Sequence, residues 1–193
     1  MKLNIYNYSF TALLFFLGII ALTNFHNFMD TYEVIILLAS VVGFSLFGIK
    51  WDKFKSYFIA SFILAFLSIY LYNGDLNQSE VNFFLKYFLS SQSSIMWMSA
   101  LFPLALLIYW FYMFVKQEFY GKFASFLVWV AVTFATTGLL VRWFESYLIS
   151  IDVGHIPISN LYEVFVLFCL ISALIYLYYC LLYTSDAADE GSS

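Results

Sequence analysis

Charged side chains are scarce in this sequence. Asp, Glu, Lys and Arg make up 10% of its 193 residues and hydrophobic residues 64%, whereas a soluble domain is typically about one quarter charged. So few charges cannot cover a surface that faces water. The composition therefore excludes a soluble globular protein and predicts an integral membrane protein. The eight basic residues form no patch, which excludes an electrostatic surface for nucleic acid.

Cysteine is nearly absent as well. Cys169 and Cys180 lie on one predicted helix, roughly 16 Å apart at about 1.5 Å per residue, which is too far for a disulfide. The sequence contains no C-x-x-C, G-x-S-x-G, H-E-x-x-H, P-loop or EF-hand pattern. Chemistry that needs a serine, cysteine or zinc site therefore has no candidate residues.

Apolar stretches are what the sequence has in abundance. They predict an all-α, polytopic transmembrane helix bundle with about six membrane segments, at 10–23, 34–49, 57–72, 95–115, 123–141 and 161–179. The first stretch follows one lysine and no cleavage-site pattern, so we expect a retained helix. Pro103 lies inside the fourth, where it is expected to kink the helix. The charged stretch 50–55 is interpreted as a loop. The aromatic-rich stretch 81–89 predicts a short helix at the membrane interface, with a re-entrant piece as the alternative.

The distribution of lysine and arginine predicts an orientation. With the N-terminus in the cytoplasm, the side facing the cytoplasm holds six of the eight basic residues, namely Lys2, Lys50, Lys53, Lys55, Lys116 and Lys122. Only Lys86 and Arg142 then face outward. The positive-inside rule therefore favours a cytoplasmic N-terminus and an extracytoplasmic 142–160 loop. We expect the membrane to be the inner (plasma) membrane.

The last residues differ in character from the rest. The stretch 180–193 resembles a translated sequencing adapter, which predicts a non-native tail; its composition is also typical of a polar, disordered end. The sequence thus divides into three parts. Residues 1–94 form membrane helices with an interfacial loop, residues 95–179 form the start of a further membrane domain, and residues 180–193 form this tail. On that interpretation the chain is an incomplete fragment.

Few residues are candidates for chemistry. Arg142 and Glu145 share a helix face three residues apart, which favours either an interfacial ion pair or a cation that meets an anionic group such as a haem propionate. Asn160 and Glu163 have the spacing of a helix capping box. His155 is interpreted either as an ordinary loop residue or as an imidazole that ligates haem iron or shuttles protons. His26, in the other outward loop, is favoured as an ordinary loop residue.

Two elements carry a resemblance to a known family. The residues 142–147, R-W-F-E-S-Y, and 154–163, G-H-I-P-I-S-N-L-Y-E, resemble the CcsA/ResC-type cytochrome c biogenesis proteins of System II. The similarity covers about 90–179, and the second element is its most specific part.

The resemblance implies haem export or presentation and haem attachment to apocytochrome c. It implies haem as the cofactor and a CcsB/ResB-type membrane partner, either separate or fused to the chain. Within this sequence it implies a haem-facing mouth formed by Arg142, His155, Asn160 and Glu163. The family's W-G-x-x-W-x-W-D loop is not present and is expected after Tyr179, so no catalytic residue is identified. The alternative is a small six-helix permease or a non-enzymatic membrane subunit, disfavoured because the predicted segments lack buried charge and broken helices.

Overall fold

The structure, a computed structural model, describes residues 5–25, 31–150 and 156–190, with only the backbone described at 25, 33 and 181–190. Within these ranges the chain is helical and has no strand. The described part has five helices long and apolar enough to cross a membrane, and a shorter apolar helix at Val34–Lys50. The prediction of an all-α membrane helix bundle is confirmed.

The helices extend beyond most of the apolar stretches that predict them. They are α1 (Ile5–Phe25), α2 (Thr31–Lys50), α3 (Asp52–Tyr72), the short α4 (Gln78–Val81), α5 (Ser91–Val115), α6 (Glu118–Ile149) and α7 (Leu161–Glu190), with a π-helical segment at Leu85–Leu89 before α5. Pro103 lies inside α5, which continues past it. The backbone of α7 remains helical to Glu190, whereas composition alone favours a disordered end there.

The chain divides into two compact units, Met1–Phe58 and Ile59–Ser193. In the first unit only Trp51 separates α2 from α3, and its N–H donates to the carbonyl of Phe47 at 2.8 Å. The interpretation of 50–55 as a loop is therefore wrong. Asp52 begins α3 instead, because a carboxylate is favourable in the first turn of a helix.

Lys55, in the first unit, is a buried cation and is 0% exposed. Its Nζ donates to the side-chain oxygen of Asn7 and, at 2.6 Å, to a carboxylate oxygen of Asp52. It also lies 4.9 Å from the ring centroid of Tyr6. A charge at the end of a membrane helix is tolerated when it is paired in this way.

In the second unit α5 packs along α6. The contact face of α6 carries small residues, with Ala124, Ala131 and Ala135 fully buried. A Cβ at Gly138 would lie 2.8 Å from Cγ1 of Ile95 and 3.3 Å from the backbone oxygen of Ser91. Small residues are what allow two membrane helices to approach this closely.

The connection between α3 and α5 is folded against this pair. Leu85 and Leu89 of the π-helical segment are buried with Tyr72, Ala65 and Val141 in one apolar cluster. Within the stretch 81–89, where a short helix is expected, the structure has the end of α4 and the π-helical turn Leu85–Leu89, whose inner face is buried. This arrangement places the end of α3, the start of α5 and the last turns of α6 side by side.

Candidate functional site

Arg142 lies between two carboxylates near the end of α6. Its Nε is 3.3 Å from Oε1 of Glu163 on α7, and its Nη1 is 3.9 Å from Oε2 of Glu145, one turn further along α6. The arginine side chain is 35% exposed, whereas both carboxylates are almost buried. The predicted pairing with Glu145 is confirmed, and Glu163 is the closer partner.

Glu145 receives most of its hydrogen bonds from other helices. The hydroxyl of Tyr72 donates to Oε1 at 2.5 Å, and the backbone N–H of Ser91 donates to the same oxygen at 3.0 Å. The Ser91 hydroxyl donates to Oε2 at 2.5 Å. A buried carboxylate is costly unless hydrogen bonds and an opposite charge compensate it, and both are present here.

Glu145 also acts at the N-terminus of α5. Ser91 is the first residue of that helix, and the cap residue Ser90 accepts from the N–H of Ser93 at 3.3 Å. The carboxylate of Glu145 therefore satisfies a backbone N–H that the helix itself leaves unpaired. A negative charge is favourable beside this end of a helix dipole. Glu145 thereby joins α6 to α5 and, through Tyr72, to α3.

The start of α7 is capped by Asn160 as the sequence predicts, but the predicted return bond from the Asn160 N–H to Glu163 is replaced by one from Ser159. The side-chain oxygen of Asn160 accepts from the N–H of Glu163 at 2.9 Å, which is the expected half of a capping box. The carboxylate of Glu163 accepts from the N–H of Ser159 at 3.1 Å, one residue before the cap. Glu163 therefore orders the entry of the chain into α7 while it pairs with Arg142.

We name these residues the Arg142 cluster: Tyr72, Ser91, Arg142, Glu145, Asn160 and Glu163. Of the predicted site residues, the structure brings Arg142, Asn160 and Glu163 together. His155 and His26 lie outside the described residues. Sequence reasoning missed Tyr72 and Ser91, although one signal was present: a buried Glu145 needs donors, and the serine-rich stretch 90–94 flanks a membrane span.

An apolar groove lies beside the cluster, between α3 and α6. It has a volume of about 270 Å³ and is lined by Phe62, Ala65, Phe66, Ile69, Leu140, Trp143, Phe144 and Tyr147. Its lining contains no charged side chain. A groove of this kind accommodates apolar groups and presents almost no polar surface to orient a ligand.

The described residues do not form a haem site by themselves. Histidine is a common ligand of haem iron in proteins, and both histidines of the sequence lie outside the described ranges. Among the residues described, no three His, Cys, Asp or Glu side chains come together to hold a metal ion. Arg142, the one candidate for a propionate, already pairs with two carboxylates. The geometry therefore explains how the helix ends are held and supports no step on haem.

Comparison with known proteins adds no relative. No protein-family model, curated protein or solved structure matches the chain. The chain is a multi-pass helical membrane protein in which two nearly buried carboxylates flank a partly exposed arginine near the end of α6.

Proposed function

We propose that the chain is part of a cytochrome c biogenesis protein of the CcsA/ResC type, in which the Arg142 cluster shapes the extracytoplasmic end of the helix bundle. One observation supports the proposal most. The two elements that carry the resemblance, 142–147 and 154–163, are joined by the ion pair between Arg142 and Glu163. We expect two elements that together identify a family to contact each other in the fold, as these two do.

In this proposal the described residues hold the helices in position and take no part in a chemical reaction. Glu145 fixes α3, α5 and α6 against one another, and Arg142 connects them to α7 through Glu163. Haem, the CcsB/ResB-type partner and apocytochrome c would meet at the extracytoplasmic end of these helices, in the inner (plasma) membrane. The chain's contribution there is orientation, which is a large part of catalysis when two reactants must meet.

Deletion of the gene in the source organism tests the function. We expect covalently bound haem, detected by peroxidase staining of denatured membrane proteins, to disappear while b-type cytochromes persist, and the intact gene to restore it. Unchanged c-type cytochromes would contradict the proposal. Loss of both types would also contradict it, because that result indicates a general defect in haem supply.

Glu163→Ala separates the structural part of the proposal from haem binding. Because Glu163 caps α7 and pairs with Arg142, the variant of the full-length protein should reduce the yield of folded protein more than the haem content per molecule. An unchanged folded yield with haem lost would mean that Glu163 contacts haem directly.

A non-enzymatic membrane subunit is the second candidate. It is favoured by the internal pairing of both carboxylates in the cluster, which leaves neither of them for a transported ion. The genomic sequence after Tyr179 distinguishes the two: a W-G-x-x-W-x-W-D loop and two later histidines favour the first, and a stop codon near residue 193 favours the second.

A further inference from the structure

The connection between α3 and α5 lies at a definite depth in the membrane. In α6 the stretch between Lys122 and Arg142 holds no charged residue. At about 1.5 Å per residue it spans roughly 30 Å, the thickness of the hydrocarbon core. Arg142 therefore marks one boundary of that core. Glu145, one turn further and therefore just outside that boundary, holds the end of α3 and the start of α5 at its own level.

The π-helical segment extends from the helix ends back to the level of this boundary. The Ser68 hydroxyl, one turn before the end of α3, donates to the carbonyl of Leu89 at 2.8 Å. The Ser94 hydroxyl, in the first turn of α5, donates to the carbonyl of Phe88 at 2.8 Å. One helical turn is about 5.4 Å, so the last residues of the segment lie about that far inside the level of the helix ends.

Side chains pair with the backbone polar groups of the segment, as a position at the membrane boundary requires. Ser93 Oγ donates to the carbonyl of Lys86 at 2.5 Å, and the indole N–H of Trp97 donates to that of Tyr87 at 2.7 Å. At its start the side chain of Asn82 accepts from the N–H of Phe84 at 3.0 Å. Irregular backbone is tolerated at membrane depth only where its polar groups are paired like this.

The outer surface of the stretch 81–89 is apolar and mostly aromatic. Phe84 is 58% exposed, and Val81, Phe83 and Tyr87 are exposed to a similar or greater extent, while Leu85 and Leu89 fill the inner face. We name the four exposed residues the aromatic face. Lys86 lies beside it, 3.8 Å from Glu80, so the surface presents both charges at its rim.

We propose that the aromatic face inserts into the lipid headgroup layer at the Arg142 boundary and anchors the α3–α5 connection there. Two observations select lipid as the occupant. The hydrogen bonds to Ser68 and Ser94 hold the segment at the boundary of the hydrocarbon core. Aromatic rings flanked by charges of both signs fit a layer that contains phosphate and choline, because such rings favour the membrane–water interface.

Nitroxide labels test this insertion in phosphatidylcholine nanodiscs. Single cysteines are placed at Phe84 and Tyr87, and a control at the exposed turn residue Asp75, in a chain carrying Cys169→Ser and Cys180→Ser. Electron paramagnetic resonance then compares collisions with oxygen, which concentrates in lipid, and with a water-soluble nickel complex. We expect the oxygen-to-nickel ratio to be several-fold higher at 84 and 87 than at 75.

Two results would overturn the proposal. A ratio at 84 and 87 equal to that at 75 means that the face lies in water. Protection of these labels from both reagents means that protein, such as a second copy of the chain, covers the face instead of lipid. Phe83→Cys provides a further exposed position on the same face if either label prevents folding.

Discussion

Tyr72→Phe isolates one hydrogen bond of the Arg142 cluster. The Tyr72 side chain is 1% exposed, and its hydroxyl donates at 2.5 Å to the carboxylate of Glu145. The variant removes one oxygen and keeps the ring in the apolar cluster. Glu145 retains both hydrogen bonds from Ser91 and the nearby Arg142. The change in stability therefore reports mainly the loss of a buried, charge-assisted hydrogen bond to Glu145, together with the weaker interaction of the same hydroxyl with Ser79.

Two scales bracket the expected magnitude. Hydrogen bonds to charged groups contribute about 1.5–3 kcal/mol in proteins, whereas those between membrane helices average about 0.6 kcal/mol and reach about 1.7. The ranges overlap near 1.5 kcal/mol, so we expect Tyr72→Phe to lower the free energy of unfolding by about that amount, roughly a tenfold change in the unfolding equilibrium.

The assay is unfolding by sodium dodecyl sulfate in mixed micelles, followed by tryptophan fluorescence. Tyr70→Phe is the matched control, because Tyr70 lies on the same helix and is 80% exposed. We expect the control to change stability by less than about 0.5 kcal/mol. If Tyr72→Phe cannot be distinguished from Tyr70→Phe, the reasoning that Glu145 holds α3 in place is refuted.

Two further variants probe other parts of the fold in the same assay. Gly138→Ala should destabilise the chain by about 1–3 kcal/mol, because its Cβ would meet Ile95 and the backbone of Ser91. Gly43→Ala, where a Cβ meets nothing within 4 Å, should instead stabilise it by about 0.5–1 kcal/mol; equal effects would contradict the close α5–α6 approach. Lys55→Met should cost about 1–3 kcal/mol, because it leaves the buried Asn7 oxygen without its donor. Lys122→Met, at a side chain 79% exposed, should leave unfolding unchanged, and a similar loss in both variants would remove the case for a buried Lys55.

The local parts of the fold were predictable from the sequence. Apolar length alone indicates the membrane helices. The spacing of Asn160 and Glu163 predicts the cap of α7, and the spacing of Arg142 and Glu145 predicts their pairing, because both rules act within one helical turn. The cap and the ion pair each depend on two residues three positions apart, and helix geometry alone makes such residues neighbours.

The non-local parts were not predictable in the same way. Tyr72 and Glu145 are 73 residues apart in the chain, and Ser91 and Glu145 are 54 apart. No helical periodicity relates such pairs, so only the packing of α3, α5 and α6 reveals them. The inner face of the π-helical segment was missed for a related reason. Its aromatic residues indicate an interface, whereas Leu85 and Leu89 become core residues only through contact with Tyr72.

The coupling energy between Arg142 and Glu163 tests the central claim most directly, namely that this ion pair joins the two motif elements. A double-mutant cycle with Arg142→Met and Glu163→Gln measures it in the unfolding assay. The exposed pair Lys122–Glu118, at 2.8 Å, is the reference cycle. Because Glu163 is almost buried, we predict a coupling of about 1–2 kcal/mol, larger than that of the reference pair. A coupling no larger than the reference value would contradict the account.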